Sequence, residues 1–240
     1  MPVLDSALLQ ATLRDELRAA WRKLHDEHGQ DLLYGFGVYT TDSASYLMVT
    51  AFSEKGLEAR VAKAVADFGP GGRHADLRKF ALDSGGTPDD PTLQRQCLRW
   101  SPCDSPLHEI GSGLLPRSDE IVQELDVEGR WSDDDELDDE AFEEALERGD
   151  PEVDEVFRVI QHVLKELDLE GLFGHGPQRH RLVLSIWQGD QSNQSRHAFA
   201  KALNPPSVVE RFGREMNDGA HAYDRLFHGA EAVREDDVFE

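Results

Sequence analysis

Long apolar stretches are missing from this sequence of 240 residues. No run approaches the roughly 20 apolar residues that a membrane-spanning helix needs. The opening decapeptide, MPVLDSALLQ, also lacks the basic region and the following apolar stretch of a secretory signal. We therefore expect a cytoplasmic protein that does not contact a membrane.

Cysteine is scarce, since the only two thiols belong to Cys97 and Cys103. Their spacing is not CxxC, and no second cysteine pair completes a zinc site. The histidines do not follow HExxH or a comparable ligand spacing, so we expect neither a metal nor another cofactor. Because a reducing cytosol keeps thiols free, both cysteines are expected to be unpaired.

Basic residues are few compared with acidic ones. The chain has 25 lysines and arginines against 48 aspartates and glutamates, which gives a formal net charge of −23. Such a surface repels nucleic-acid phosphates, so we do not expect nucleic-acid binding. It would steer a basic protein partner toward the chain, although the same charge can serve solubility alone. The common nucleotide enzymes are disfavoured as well, because GxGxxG, P-loop and GxSxG motifs are absent.

Three segments read as β-strands. Residues 32–40 and 46–52 are rich in aromatic and β-branched residues and are joined by a short polar turn, which predicts an antiparallel hairpin. Residues 182–187 (LVLSIW) predict a further strand. Residues 93–100 are ambiguous, because their end, CLRW, is compatible with another strand.

The first strand contains two glycines, Gly35 and Gly37, two positions apart. Alternation places Tyr34, Phe36 and Val38 on one face and both glycines on the other. Glycine weakens a strand interior, so the pair needs a reason. We expect a helix to pack closely against the bare backbone there; a ligand approaching the same backbone is the alternative.

Helical patterns occupy much of the remaining chain. Apolar residues recur at helical spacing over residues 9–24 and again over residues 153–167. The order of strands and helices predicts an α+β fold, with an antiparallel or mixed β-sheet on which the helices pack. We expect a single domain over residues 1–230, with an acidic insertion or linker at about 131–150 and an acidic tail at 231–240.

The densest group of chemically active side chains follows the CLRW segment. An exposed Cys103 beside His108 would provide a nucleophile and a base, and Asp104 or Glu109 would orient the imidazole. In the structural alternative, which we favour, Trp100 fills the edge of the core and Arg99 pairs with an acid. The candidate catalytic residues are therefore Arg99, Cys103, Asp104, His108 and Glu109.

A second group lies in GHGPQRHR, the most basic patch of this acidic chain. Arg179 and Arg181 are candidate ligand-binding residues, because guanidinium groups grip phosphates and carboxylates. His175 and His180 lie beside them. An ordinary hydrophilic turn is the alternative, and we favour it.

A third group is the acidic run in WSDDDELDDE, whose carboxylates repel one another. If the negative charge serves a basic protein partner, this run is the place where we expect contact. The candidate partner-binding residues are Asp133, Asp134, Asp135, Glu136, Asp138, Asp139 and Glu140.

Four stretches together resemble a bacterial family, the domain of unknown function 4303. They are the hairpin YGFGVYTTDSASYLMVTAF, the segment LRWSPCDSPLHE, the helix that ends EGLFG, and the strand RLVLSIWQGDQS. The most specific piece is LRWSP, residues 98–102. The resemblance implies no established activity. It does imply an association with bacterial toxin–immunity or defence loci.

Three hypotheses of function follow. The first is a non-enzymatic binding protein, for example an immunity protein that covers a basic toxin domain with its acidic surface. The second is an enzyme that uses the loop of residues 99–109 together with His175 or His180, which requires these residues to converge. The third is a structural or regulatory domain whose charge serves solubility alone.

Overall fold

The computed structural model describes residues 3–125, 151–189 and 191–229. Its sheet contains the strands β1 (Leu33–Thr40), β2 (Met48–Ser53) and β3 (Val183–Gln188) in the order β2-β1-β3. β1 pairs antiparallel with β2 and parallel with β3. The predicted α+β fold with a mixed sheet is confirmed, and so are the three predicted strands.

Helices make up most of the described chain. They pack on both faces of the sheet and beside its edges, and the 3-10 turns connect them to neighbouring elements. The helices are α1 (Ser6–His28), α2 (Glu54–Phe68), α3 (Ala75–Asp83), α4 (Pro91–Leu98), α5 (Pro106–Gly111), α6 (Pro116–Gln123), α7 (Pro151–Leu169), α8 (Gly176–Arg179), α9 (Asn193–Leu203) and α10 (Pro206–Phe227), with 3-10 turns at Gly29–Asp31 and Pro102–Asp104.

The helix α4 corrects one sequence interpretation. The side chain of Asp90 accepts hydrogen bonds from the backbone N–H groups of Thr92 (2.8 Å) and Leu93 (3.1 Å), and Pro91 occupies the first helical turn. An N-cap of this kind satisfies the free donors at a helix start. The alternative that CLRW forms a strand is therefore wrong.

One face of the sheet is covered by α1 and α7, which pack against each other, and by α6, which packs against α1. Both long helices bury the apolar stripes that their sequences predict, because helical spacing places those residues on one side. At the centre, Trp21 packs edge to face on Phe36 and on Phe173, with both ring-centroid distances at 5.1 Å. This face holds the larger apolar core.

The opposite face carries a cluster of aromatic rings, which we call the aromatic cluster. The helices α2, α4, α9 and α10 surround it. The indoles of Trp100 and Trp187 stack at 5.8 Å, and both rings meet Phe212 edge to face. Ring contacts of this kind stabilise a fold by more than the burial of their apolar surface alone. The members are Tyr34, Phe52, Trp100, Trp187 and Phe212.

A β-bulge interrupts the pairing of β1 with β2. The register shifts between Leu33 and Gly35, so Tyr34 is an extra residue on β1. The bulge turns the Tyr34 ring into the aromatic cluster, whereas Phe36 and Val38 point into the core on the other face. The prediction that these three side chains share a face is therefore wrong for Tyr34.

Close neighbours other than a helix explain why β1 has glycine at positions 35 and 37. A Cβ on Gly37 would lie 1.8 Å from the carbonyl oxygen of Ser185 on β3. A Cβ on Gly35 would lie 2.7 Å from the Phe52 ring and 3.0 Å from Trp100. The expected helix packing is replaced by contact with a strand backbone and with aromatic rings.

Side chains cover both outer edges of the small sheet. On β3, the Asn204 amide accepts from the Leu184 N–H at 2.9 Å and donates to the Leu184 carbonyl at 2.7 Å, as a neighbouring strand would. On β2, the Ser105 hydroxyl donates to the Ala51 carbonyl at 2.6 Å, at the start of α5. Capped edges have fewer free groups with which another chain could pair.

Candidate functional site

Trp100 belongs to the core of the protein. Its side chain is 4% exposed and lies in the aromatic cluster. The indole Nε1 donates to the carboxylate of Glu215 on α10 at 3.1 Å, which satisfies the one polar atom of the ring. This position agrees with the structural role that we favoured for Trp100.

Arg99 ties three helices together. Its guanidinium lies over the Tyr34 ring at 4.3 Å and forms ion pairs with Glu54 at 2.9 Å and Glu215 at 3.2 Å. Burial alone would lower the pKa of Arg99, but the hydrogen bond with Glu54 and the charge of Glu215 outweigh it and raise the pKa. Arg211 approaches the same Glu215 carboxylate at 3.9 Å. Arg99 thus fastens α4 to α2 and α10.

Cys103 and Asp104 lie in the 3-10 turn that follows. The Cys103 thiol is exposed and lies 3.7 Å from the hydroxyl of Tyr39. Asp104 pairs with Arg60 and accepts from the Ser101 hydroxyl at 2.8 Å. The Asp104 carboxylate is therefore engaged by α2 and by its own turn.

His108 packs against the same tyrosine. Its ring meets Tyr39 edge to face at 4.7 Å, and its Nδ1 lies 3.2 Å from the Thr50 hydroxyl. Burial lowers the pKa of His108. Glu109 is exposed. In the described residues no hydrogen bond joins His108 to Cys103, although both contact Tyr39. A nucleophile–base pair of these two residues stays a prediction.

Arg179 is a buried structural residue, 5% exposed. Its Nε donates to Asp168, and its Nη1 donates to the Leu182 carbonyl at 2.7 Å. Its Nη2 donates to the Leu203 carbonyl and to the Asn204 side chain, each at 3.1 Å. These bonds correct the prediction that Arg179 binds a ligand, because all three nitrogens already donate inside the protein.

The neighbouring residues of the basic patch lie nearer the surface. Arg181 is exposed, so its predicted ligand binding stays a prediction. The His175 ring lies against Gly171, where a Cβ would come within 2.3 Å of it. The carbonyls of His180 and Arg181 accept from the guanidinium of Arg211 at 3.0 and 2.9 Å. This turn is thus fixed to α10 through its backbone.

His108 and the two histidines of the basic patch lie at different levels of the sheet. His175 and His180 precede Val183, the start of β3, whereas His108 contacts Tyr39, which pairs with Trp187 near its end. Four strand residues separate these levels, a distance of roughly 13 Å. His108 therefore lies apart from His175 and His180. Arg99, by contrast, is connected to their turn, because Glu215 pairs with Arg99 and with Arg211, which donates to the turn's carbonyls. The enzyme hypothesis as a whole stays a prediction.

Other predictions fall outside the described residues or yield no site within them. The acidic run of residues 133–140 and the tail of residues 231–240 both lie outside. The predicted domain limits remain predictions. Across residues 3–125, 151–189 and 191–229, no group of three or more His, Cys, Asp or Glu side chains is arranged to hold a metal ion. In the same ranges, no helix is long and apolar enough to cross a membrane.

The comparison with known families is decided by one match. Residues 13–205 match the profile of a domain of unknown function, DUF4303. The chain belongs to the DUF4303 family. The match includes the Arg179 contacts and the pair of Arg99 with Glu54. It ends before α10, so Arg211 and Glu215 come from beyond the DUF4303 region. No curated protein and no solved structure matches the chain.

Sequence reasoning missed the partners of the predicted residues. Glu54 and Glu215 hold Arg99, and Asn204 bonds to Arg179, yet all three are distant from these arginines in the sequence. In the sequence, Asn204-Pro205-Pro206 indicates only an interruption between helices. No local pattern distinguishes such residues from other acids and amides of a polar chain.

Proposed function

We propose that this protein binds a basic protein partner and that residues 126–150 provide much of the attraction. These 25 residues contain thirteen acidic and two basic side chains. Their net charge accounts for almost half of the −23 carried by the whole chain. This concentration of carboxylates is the observation that carries the proposal. The toxin of a toxin–immunity pair is a partner of the expected kind.

The positive charges of the described residues support this proposal. Most of the arginines there already form ion pairs with carboxylates of the same chain, so they do little to offset the negative segment. The paired arginines are Arg14, Arg18, Arg60, Arg78, Arg95, Arg99, Arg158, Arg179, Arg211 and Arg214.

The attachment points of the acidic segment also support the proposal. Leu125, the last described residue before it, and Val153, at the start of α7, are both buried in the core on the α1 face. The flanking helices α6 and α7 both pack against α1. The chain therefore enters and leaves the segment from one layer of the molecule, which favours one docking side over uniform charge.

A charged segment of this kind acts mainly on the rate at which the two proteins associate. Complementary potentials raise association rates by about 10-fold to 1,000-fold at low ionic strength, and salt screens that gain. Close apolar contacts with the partner would then lower the dissociation rate. The proposal therefore predicts binding that weakens as salt rises.

The test uses the purified chain to capture proteins from a lysate of its source cells at low and at high salt. The captured protein is then purified, and its affinity is measured for the natural chain and for a neutralised variant. We expect a basic partner whose binding falls with salt and falls again in the variant. Equal binding by both forms would favour the structural or regulatory alternative. The variant replaces Asp133, Asp134, Asp135, Glu136, Asp138, Asp139 and Glu140 by Asn or Gln.

A further inference from the structure

A cavity of about 260 Å³ lies on the side of the aromatic cluster, between α4, α9 and α10. Its lining combines an aromatic wall with polar side chains from all three helices. Six of the lining residues matter here: Cys97, Trp100, Asn193, Arg196, Glu215 and Tyr223.

Arg196 is the unusual member of this lining. Its side chain is partly buried, and its Nε is inaccessible to solvent yet bonds to no described residue. In the described part of the chain its guanidinium also forms no ion pair with a carboxylate. Burial lowers the pKa of Arg196, which reflects the cost of holding a charge there. Arg179, by contrast, donates from every nitrogen.

The other groups in the cavity do not neutralise Arg196. The Glu215 carboxylate is already held by Arg99 and by the Trp100 indole. Burial, assisted by the charge of Asp104, raises the pKa of Cys97 to about 11, so this thiol is uncharged at neutral pH. A buried charge without a counter-charge is costly, and proteins ordinarily supply a partner for it.

We propose that this cavity binds a small molecule carrying a carboxylate or a phosphate, with Arg196 as the charge partner of that anion. A guanidinium matches both groups through paired hydrogen bonds. The Trp100 and Tyr223 rings provide an apolar wall for the body of the molecule, and Asn193 adds a polar contact. The volume suits a ligand smaller than a typical drug. The site thus selects an aromatic anion of modest size.

The test is calorimetric titration with benzoate, phenyl phosphate and uncharged benzyl alcohol at millimolar concentration. We expect one-to-one binding of at least one aromatic anion and no saturable binding of the alcohol. Which anion binds more tightly identifies carboxylate or phosphate as the preferred group. Failure of both anions to saturate the protein would overturn the proposal.

Two variants locate the binding. Arg196→Met keeps an unbranched stem like that of arginine and removes the charged end, and Arg22→Met makes the same change at an exposed position on α1. We expect Arg196→Met to weaken anion binding by at least about tenfold and Arg22→Met to leave it unchanged. Equal binding to Arg196→Met and the natural protein would overturn the proposal.

Thermal unfolding in anion-free buffer adds a readout that does not depend on the probe. Without a ligand, Arg196→Met should be at least as stable as the natural protein, because the variant no longer holds, partly buried, a charge that pairs with no carboxylate of the described residues. Adding the anion that binds in the titration should raise the unfolding midpoint of the natural protein and leave the midpoint of Arg196→Met unchanged. A variant clearly less stable than the natural protein in both conditions would show that Arg196 already has its partner, and would overturn the proposal.

Discussion

Acidic and basic residues are balanced differently in two regions of this protein. In the described body carboxylates meet guanidinium groups: Glu170 holds both Arg14 and Arg18, and Glu215 holds Arg99 together with the Trp100 indole. Residues 126–150 contain thirteen acidic residues and only two basic ones, so pairing within the segment can neutralise no more than two of them. Charge thus fastens elements in the described body, whereas in the acidic segment we propose that it serves a partner.

The largest loss of stability is expected from removing a buried arginine that is paired with a carboxylate. Arg179→Met should destabilise the fold by about 3–5 kcal/mol, because the Asp168 carboxylate and several carbonyls lose their donor. Urea denaturation of the variant measures the change. Arg181→Met is the matched control at an exposed position and should stay within about 0.5 kcal/mol of the natural protein. Equal stability of the two variants would contradict the role assigned to Arg179.

A smaller loss is expected from a steric change in the sheet. In Gly37→Ala the new Cβ would lie 1.8 Å from the Ser185 carbonyl oxygen, so β1 and β3 must move apart. We expect a cost of about 1–3 kcal/mol in thermal or urea unfolding. Gly29→Ala is the control, since its Cβ would meet no atom closer than 3.5 Å. A Gly37→Ala variant as stable as the control would disprove the close strand approach.

The fold was predictable from the sequence to the extent that it follows local pattern. The three strands and the two long amphipathic helices were identified from alternation and helical spacing, which act over a few residues. The bulge at Tyr34 and the strand neighbour of Gly37 were not, because both depend on pairing with distant residues. A single extra residue in β1 reverses the face of one side chain.

A third prediction concerns pH and a partly buried histidine. Burial lowers the pKa of His108, so the unfolded chain binds a proton more readily than the folded one. The stability linked to His108 is therefore present above about pH 6.5 and is lost as pH falls through the lower folded value. His108→Gln should reduce the loss of stability between about pH 7.5 and about pH 5.5. An unchanged loss would show that His108 titrates as it does in the unfolded chain.

The candidate site was less predictable than the fold. Composition identified the arginines, histidines and cysteines of two loops, but it could not show which of them were already satisfied. Arg99 and Arg179 are held by Glu54, Glu215 and Asn204, which come from other elements. Partners of this kind meet only through the tertiary fold. Sequence reasoning therefore identified the charged residues. It could not separate those that hold helices together from those that are available to bind a ligand.

The smallest change in stability is expected in the acidic segment. Converting Asp133, Asp134, Asp135 and Glu136 to Asn or Gln removes repulsion between like charges and should leave the unfolding midpoint unchanged or slightly raised. A control variant makes the same number of neutral changes at exposed positions of the body. The control residues are Asp26, Glu27, Asp76 and Asp83.

The most direct measurement of the central claim is the association rate of the captured basic partner with these two variants and the natural chain, over a range of salt. We predict that the acidic-segment variant associates more slowly at low salt, by about tenfold or more, and shows a weaker salt dependence. The body control should behave nearly as the natural chain does. Equal rates for the acidic-segment variant and the natural chain, or an equal loss in the control, would contradict a docking role for residues 126–150.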